Sequence, residues 1–596
     1  MYLDVLLKKS HAITQRVSLW CTLTLVGIAG LGLVLRCYDL DWDQGHNFHP
    51  DEPYIVAYAH NISWPQSMAQ FLNPVTSPLS PHLFYYGSFP IYLLALVGHL
   101  LADAFPNANI MDHLTLVGRY ISAIFDSGTI LLTGWLGLRL CQDDQSYGFS
   151  PWTVPLLAAL LVTFTPFELQ QAHYSTVDGM LLFFIMLTLV GCVTLVNTCI
   201  PYRVALLIGL AYGLALATKF SSAPLAVPIV TAILLRWSRH NLSSALISLG
   251  LSAITTCLTF VLAMPYALID WQTFLQNLSE QGNMSIGNSG VIYILQFATT
   301  IPYVYQAKNI LLWGLGPTLG LVAGAGLLWL LYRMCRRQAG LWPIVITWIV
   351  AYASITGSFY VKFMRYMLPI YPLLTLIAAA GLIACIRAIK IRKQENRLSW
   401  GWLASAITVF VLISTIFQGL ALLNVYSSPN TLIQASQWMY KHLKAGNAIT
   451  YELGDVALPV ALNGQNPTMF YRMSGLDMYE SDTIDKVQKL MTAISTSNVI
   501  VMSSDRSDKP IMQLSPRYPM STYYYQQLLQ GKLGFHLAAQ FKDPPHLLGF
   551  TFNDSYADET YSVFDHPIVR IFIRDKPFTP QSIADIQKEL LYKIVP

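Results

Sequence analysis

From residue 17 onward the chain alternates long apolar runs with short polar breaks. A spanning helix needs about 20 mostly apolar residues, and eleven runs approach that length, at roughly 17 to 36, 118 to 140, 153 to 171, 179 to 199, 203 to 218, 222 to 235, 242 to 263, 309 to 332, 341 to 358, 366 to 386 and 400 to 424. A twelfth run, 83 to 101, decides the topology, because counting it as a span reverses every later connection. Short cytoplasmic connections collect Lys and Arg. Three connections are basic here: Arg236 with Arg239; Arg333, Arg336 and Arg337; and Arg387, Lys390, Arg392, Lys393 and Arg397. With 83 to 101 left out, all three fall on the side of Lys8, Lys9 and Arg16; with it counted, all three fall outside. The pattern therefore predicts a membrane-surface or re-entrant helix at 83 to 101, a single long exoplasmic loop over 37 to 117 and a cytoplasmic N-terminus. Merging 203 to 218 with 222 to 235 into one broken helix would restore parity the other way. The first run lacks a small-residue cleavage site and is expected to be a retained signal anchor.

After Asn424 no further spanning run occurs. The tail carries a helical pattern over Thr431 to Leu443 and β-like runs over Asn498 to Met502, Tyr561 to Phe564 and Ile568 to Ile573, which predicts a small α/β domain. The expected architecture is a polytopic α-helical membrane domain over 1–426, with about eleven transmembrane helices plus exoplasmic surface helices, followed by a soluble exoplasmic α/β domain over 427–596. Composition agrees, since 54% of residues are hydrophobic and 11% charged, against roughly 25% charged in soluble domains. The net charge of +4 and the scattered basic residues give no footprint for nucleic acid. The eight cysteines all precede residue 386 without a CxxC spacing, so zinc or redox chemistry has no support. Half of the 32 acidic residues lie in the last 167 positions; there they are expected to be the charge of an ordinary solvated domain.

The remaining acids are concentrated. Five of the 16 in the first 429 residues fall between Asp39 and Glu52, directly after the first span. Carboxylates at a membrane face suit acid/base work or metal binding, with Asp51 and Glu52 the stronger candidates; a solvated acidic loop is the alternative. A second polar insertion, Glu168 to Gly179, contains His173 and Asp178. Asp178 precedes an apolar run and is placed to cap a helix, or to face the first-loop carboxylates together with His173 and share a metal or acceptor with them. Lys362 and Arg365, and likewise Lys219, run against the positive-inside trend. Binding of a phosphate at headgroup level, bidentate for Arg, or snorkelling to the interface accounts for them.

At these residues the chain resembles the GT-C superfamily of glycosyltransferases, in particular the protein O-mannosyltransferase and aminoarabinose-transferase-like group (glycosyltransferase family 39-like). The resemblance rests on His49-Pro50-Asp51-Glu52, Thr176-Val177-Asp178, Ala217-Thr218-Lys219 and Arg365-Tyr366-Met367-Leu368-Pro369. It implies surface helices in the first loop and an inverting transfer from a polyprenyl-phosphate sugar at the plasma membrane. In that scheme Asp51 is the general base and Glu52 supports it. Arg365, with Lys362 or Lys219, holds the lipid phosphate and stabilises developing charge, while His49, His173 and Asp178 line the acceptor side or complete a metal site. Metal use varies within the superfamily, which leaves a divalent cation open.

Departures are visible too. Ser77 to His82 replaces the lysine-proline motif of aminoarabinose transferases, and the tail lacks the repeat-type domain of eukaryotic protein O-mannosyltransferases, so the acceptor (glycan, lipid or protein) stays open. Two other classes remain: a catalytically silent structural subunit bound to a membrane-protein partner, and a transporter. A transporter requires ionisable residues facing a mid-membrane pathway, for which Asp126, with Arg119 in the same helix, is the main candidate.

Overall fold

A computed structural model describes residues 2–142, 151–288, 292–391 and 399–594. Among these, nine helices are long and apolar enough to cross a membrane, ten with the bent pair Thr153–Thr163 and Pro166–Ala172. The 16-residue apolar helix Trp342–Gly357 completes the set of eleven. Its two ends join the turn after Arg333 to Gly357, whose carbonyl accepts from Tyr303 N at 3.3 Å and Gln306 Nε2 at 3.1 Å. The chain is thus a multi-pass membrane protein with a soluble α/β domain at its C-terminal end.

Contacts bear on two questions of parity. The helix Pro201–Thr218 ends at Lys219, which pairs with Asp178 at 2.8 Å. The helix Ala226–Arg239 ends at the opposite face, where Arg236 donates to Leu195 O at 2.7 Å and Arg239 to Asn197 at 3.0 Å. The two helices are therefore antiparallel crossings. The helix Ser88–Ala104 has 17 residues, fewer than any of the nine candidate spans among the described residues. At its start a Cβ on Gly87 would meet the carbonyls of Ala217 and Thr218, and near its end one on Gly98 would meet Leu114, so both ends touch helix termini of the same face. The basic residues Arg236, Arg239, Arg333 and Arg336 lie on the face opposite Lys219, and Arg392, Lys393 and Arg397 fall outside the described residues.

Local chemistry explains where helices break. Pro166 lacks a backbone donor and forces Thr165 into an extended conformation, which bends the third crossing by 60°. The run expected over 309 to 332 is instead a turn followed by a helix over Pro317–Cys335, because Gly316 adopts φ +80° and Pro317 restarts the helix. Close packing is set by small residues. Any Cβ on Gly209 or Gly213 would come within 2.7 Å of a backbone carbonyl of the helix Leu242–Ala263, and such approach is how helices associate where lipid offers no hydrophobic drive.

The C-terminal domain is built on a five-stranded sheet with strands β1 (Ala448–Glu452), β2 (Arg472–Leu476), β3 (Val499–Met502), β4 (Phe535–Phe541) and β7 (Val569–Arg574), in the order β2-β1-β3-β7-β4. β1 runs parallel to β2 and β3; β7 is antiparallel to β3 and β4. Burial on both faces explains the unbroken apolar run of β3. Tyr561 to Phe564 is not a strand. Asp558 accepts from Thr560 N at 3.0 Å and caps a helical turn over Glu559–Ser562. β5 (His546–Leu547) and β6 (Phe550–Thr551) form a short hairpin, and Phe550 and Phe552 pack edge-on against Phe417 of the last crossing. One buried apolar cluster runs from the crossings (Phe167, Tyr371, Leu422) through Tyr426 and Leu432 into the sheet (Ile449, Val499, Ile571), so the soluble domain is packed onto the membrane domain.

Candidate active site

The first loop is folded down by a buried arginine. Arg119, one turn into the helix Leu114–Gln142, forks onto Glu52 (Nε to Oε1 2.9 Å, Nη2 to Oε2 2.6 Å) and onto Asp43 (3.0 and 2.7 Å). It also donates to Leu40 O at 2.7 Å and lies 4.7 Å from the Trp42 ring centroid. Ser175 N donates to Glu52 at 2.6 Å, which ties the second polar insertion to the same carboxylate. Burial pushes the Glu52 carboxyl up, and Arg119 acts against that rise. A buried, bidentate carboxylate of this kind holds geometry: Glu52 fixes the first turn of the helix Glu52–Asn61 and thereby aims its neighbour.

That neighbour is Asp51, at the N-cap position of the same helix. Asp51 forms an ion pair with Arg365 and accepts from the Tyr86 hydroxyl at 3.1 Å. Burial pushes the Asp51 carboxyl up, but the Arg365 guanidinium, with Lys219 behind it, outweighs that rise and holds it at about 2. Both partners keep some exposure, 16% for the Asp51 and 13% for the Arg365 side chain, so the pair sits at an opening. Arg365 comes from the 3₁₀ turn Met364–Ile370, where Pro369 cannot continue an ordinary α-helix from the preceding turn. Beside it, Lys219 pairs with Asp178 and lies 5.4 Å from the Tyr366 ring centroid. Asp178 makes no side-chain cap; its carboxylate is used for Lys219.

The other candidates lie apart from this pair or behind it. His49 is fully buried between Tyr174 (4.4 Å between centroids) and Phe564 (4.7 Å), with Nδ1 accepting from Asp51 N at 3.2 Å. Burial lowers it to about 3, so it is neutral and its unpaired Nε2 carries the ring proton. His173 faces two carbonyls, Leu169 O at 2.7 Å and Tyr38 O at 3.0 Å, and stacks on Tyr426; it joins the bent crossing to the end of the first helix and does not face Asp51. Lys362 donates to Tyr360 O at 2.8 Å, lies against the Phe297 and Tyr360 rings, and makes no ion pair among the described residues. Burial lowers its ammonium. Among the described residues no three His, Cys, Asp or Glu side chains are grouped to hold a metal ion. Asp126 is buried in an ion pair with Arg36, so it faces no aqueous pathway.

The tail is not merely a solvated domain. Its segment 554–566 carries four buried acids, Asp554, Asp558, Glu559 and Asp565. Asp558 accepts from Tyr305 (2.8 Å) and from Met364 N (3.2 Å), the residue before Arg365. Asp565 accepts from Tyr426 at 2.7 Å and Gln170 at 3.0 Å. Phe564 packs on His49 and lies 6.0 Å from the Arg365 guanidinium. Burial raises Asp558 to about 6 despite its hydrogen bonds. The expectation that these acids are plain surface charge fails because they satisfy donors at the domain junction. Tyr86, Phe564 and Asp558 carry no sequence signal as site residues; only the cap spacing Asp558-x-Thr560 hints at order.

Comparison with solved structures gives distant matches. The oligosaccharyltransferase of Archaeoglobus fulgidus in the apo form is 14% identical over 90% of this chain and 75% of its own, with a TM-score of 0.49. AglB from the same organism, in complex with an inhibitory peptide and a dolichol-phosphate, is 13% identical over 85% and 72%, TM-score 0.47. ArnT from Cupriavidus metallidurans bound to undecaprenyl phosphate is 12% identical over 92% and 97%, TM-score 0.41. No curated protein matches the chain. Residues 117–356, from the helix that carries Arg119 to the end of the ninth crossing, match the model of glycosyltransferase family 87.

Proposed function

We propose that this chain is an integral membrane glycosyltransferase that moves a sugar from a polyprenyl-phosphate donor to an acceptor hydroxyl on the exoplasmic side, with inversion. The observation that carries the reading is the partly exposed Asp51–Arg365 pair, which joins a carboxylate base and a guanidinium suited to phosphate. The family 87 match over the crossings supports it.

In this scheme the donor phosphate draws Arg365 away from Asp51. The guanidinium then stabilises the charge that develops as the bond between the anomeric carbon and the phosphate oxygen breaks. Losing its counterion makes Asp51 a stronger base. It takes the proton of the acceptor hydroxyl as that oxygen bonds to the anomeric carbon, and the electron pair of the broken bond leaves on the polyprenyl phosphate. Lys219, beside Asp178, supplies further positive charge at the same opening. Glu52 and His49 position Asp51, one through Arg119 and the other through the Asp51 backbone.

Release of undecaprenyl phosphate from an undecaprenyl-phosphate-linked sugar, followed in membranes containing the protein, tests the scheme. Asp51→Asn preserves shape and removes the base, and is expected to lower release by about 10²–10⁴-fold. Full release at an unchanged membrane level of this variant would overturn it.

A further inference from the structure

A cavity of about 190 Å³ lies where the first loop meets the soluble domain, lined by Phe48, Pro50, Asp455, Val456, Arg506 and Phe564 among others. Pro50 is bonded to Asp51, and Phe564 packs on His49 and under Arg365, so cavity and ion pair share a wall. We propose that this cavity is an acceptor subsite that takes a single pyranose ring, which makes the acceptor a carbohydrate-bearing molecule; this rests on the transfer reading above.

The chemistry of the lining selects the ligand class. Arg506 donates through Nε to Glu559 at 3.2 Å, while its two Nη groups meet no partner among the described residues. Asp455 accepts from Val456 N at 2.9 Å and from Ser504 Oγ, which fixes its carboxylate at the cavity rim. An apolar ligand would strip water from both charged groups without replacing its hydrogen bonds, a costly exchange. A phosphate would find Arg506 already facing Glu559 and would meet the Asp455 carboxylate as well. A polyol avoids both difficulties. Its hydroxyls accept from the free Nη groups and donate to Asp455, and its C–H face lies against Phe48, Val456 and Phe564. The volume is below the roughly 300–1,000 Å³ of pockets that enclose larger ligands, so one ring fits where a chain would not.

The test uses the full-length protein in lipid nanodiscs. Saturation-transfer NMR is recorded with methyl α-D-mannopyranoside, methyl α-D-glucopyranoside and methyl β-D-galactopyranoside, beside a separate titration with undecaprenyl phosphate. At least one pyranoside is expected to bind, and Arg506→Met or Asp455→Asn to weaken it about tenfold, the effect of losing a hydrogen bond to a charged group. Val456→Phe, which fills the cavity without touching a charge, is expected to abolish it. Undecaprenyl phosphate affinity should stay within about twofold in all three, since none touches Asp51 or Arg365, and it also reports intact folding. A wild-type protein that binds undecaprenyl phosphate but no pyranoside overturns the assignment. So does pyranoside binding that survives Val456→Phe, or binding of inorganic phosphate or a serine-containing peptide in place of the sugars. Pyranoside binding sensitive to these variants in a protein that ignores undecaprenyl phosphate upholds the subsite and defeats the donor reading.

Discussion

Asp51→Asn should have opposite effects on donor-lipid binding and on transfer. Arg365 is held by Asp51, and in the proposed scheme a lipid phosphate competes for it. The scale of that competition is bounded by the carboxyl, which is held at about 2 against an ordinary 3.8, a preference for the ionised form on the order of 2 kcal/mol, or at most a few tens of fold in affinity. The amide that replaces the carboxylate still accepts a hydrogen bond from Arg365, so the expected gain is nearer about tenfold. Titration of undecaprenyl phosphate into the purified protein, followed by native mass spectrometry near neutral pH, should therefore show tighter binding to Asp51→Asn while transfer falls by about 10²–10⁴-fold. Arg365→Met should weaken the same binding at least about tenfold, and Arg365→Lys should recover only part of it because the fork is lost. Equal or weaker binding by Asp51→Asn, or wild-type binding by Arg365→Met, would show that no phosphate competes for this guanidinium and would refute the division of labour. The sign for stability is separate. Since the folded carboxyl lies below its ordinary value, the pairing stabilises the fold above pH 3.8 and the contribution is lost as pH falls through about 2.

Three further outcomes follow from the same geometry. Arg119→Met leaves Asp43 and Glu52 buried without their cation and should cost roughly 3–5 kcal/mol, seen as a lowered melting temperature in detergent; adding Asp43→Asn and Glu52→Gln should recover part of the loss, and a variant as stable as wild type would contradict the lock. Glu52→Gln should lower stability by about 1–3 kcal/mol and reduce kcat without moving the pH profile of transfer, whereas a shifted profile would make Glu52 the titrating base. His566, paired with Asp565 and with Asp554 at 2.7 Å, is lowered by burial but raised further by these two carboxylates, to about 10. Its contribution is fully present below its ordinary 6.5 and lost as pH rises through about 10; melting temperature should fall across that window in the wild type, and a His566→Gln variant with the same fall would exclude His566 as the cause.

Legibility in the sequence followed the range of the physics involved. The apolar spans and the two helices around Lys219 were readable, because hydropathy and loop charge are local properties that the membrane converts directly into topology. The strong candidates Asp51 and Arg365, 314 residues apart, lie on the same face and meet. What could not be read is how the cations divide the carboxylates among themselves. Arg119 appeared as a charge inside a span and is the anchor of the first loop. His173 appeared beside Asp178 in one motif, yet the bend at Pro166 and the carbonyls of Leu169 and Tyr38 turn it elsewhere. The tail's contribution was hidden for a similar reason: Asp558 and Asp565 look like solvated charge until the sheet is docked on the crossings and their partners, Tyr305, Gln170 and Tyr426, arrive from other elements.

The basic exceptions to the loop-charge pattern nonetheless carry a usable rule. Arg365 and Lys219 sit on the face opposite the basic connections, and each is matched by one carboxylate of the loops, Asp51 and Asp178. They are few beside Arg236, Arg333 and their neighbours, and the orientation follows the larger excess of Lys and Arg. A cation retained where it must be neutralised by a dedicated acid is costly in a chain with 11% charged residues. Packing does not call for such a pair, since an apolar pair would serve as well, and its partial exposure points to a ligand that exchanges with one of its members. Lys362, buried against aromatic rings with only a carbonyl as partner, lacks that matched acid, and on this criterion it is a positioning residue of the Arg365 turn rather than a second phosphate ligand. Lys362→Met should accordingly change undecaprenyl phosphate affinity by less than about threefold, against at least about tenfold for Arg365→Met; equal losses in the two variants would show that charge pairing does not separate ligand-binding cations from structural ones at this face.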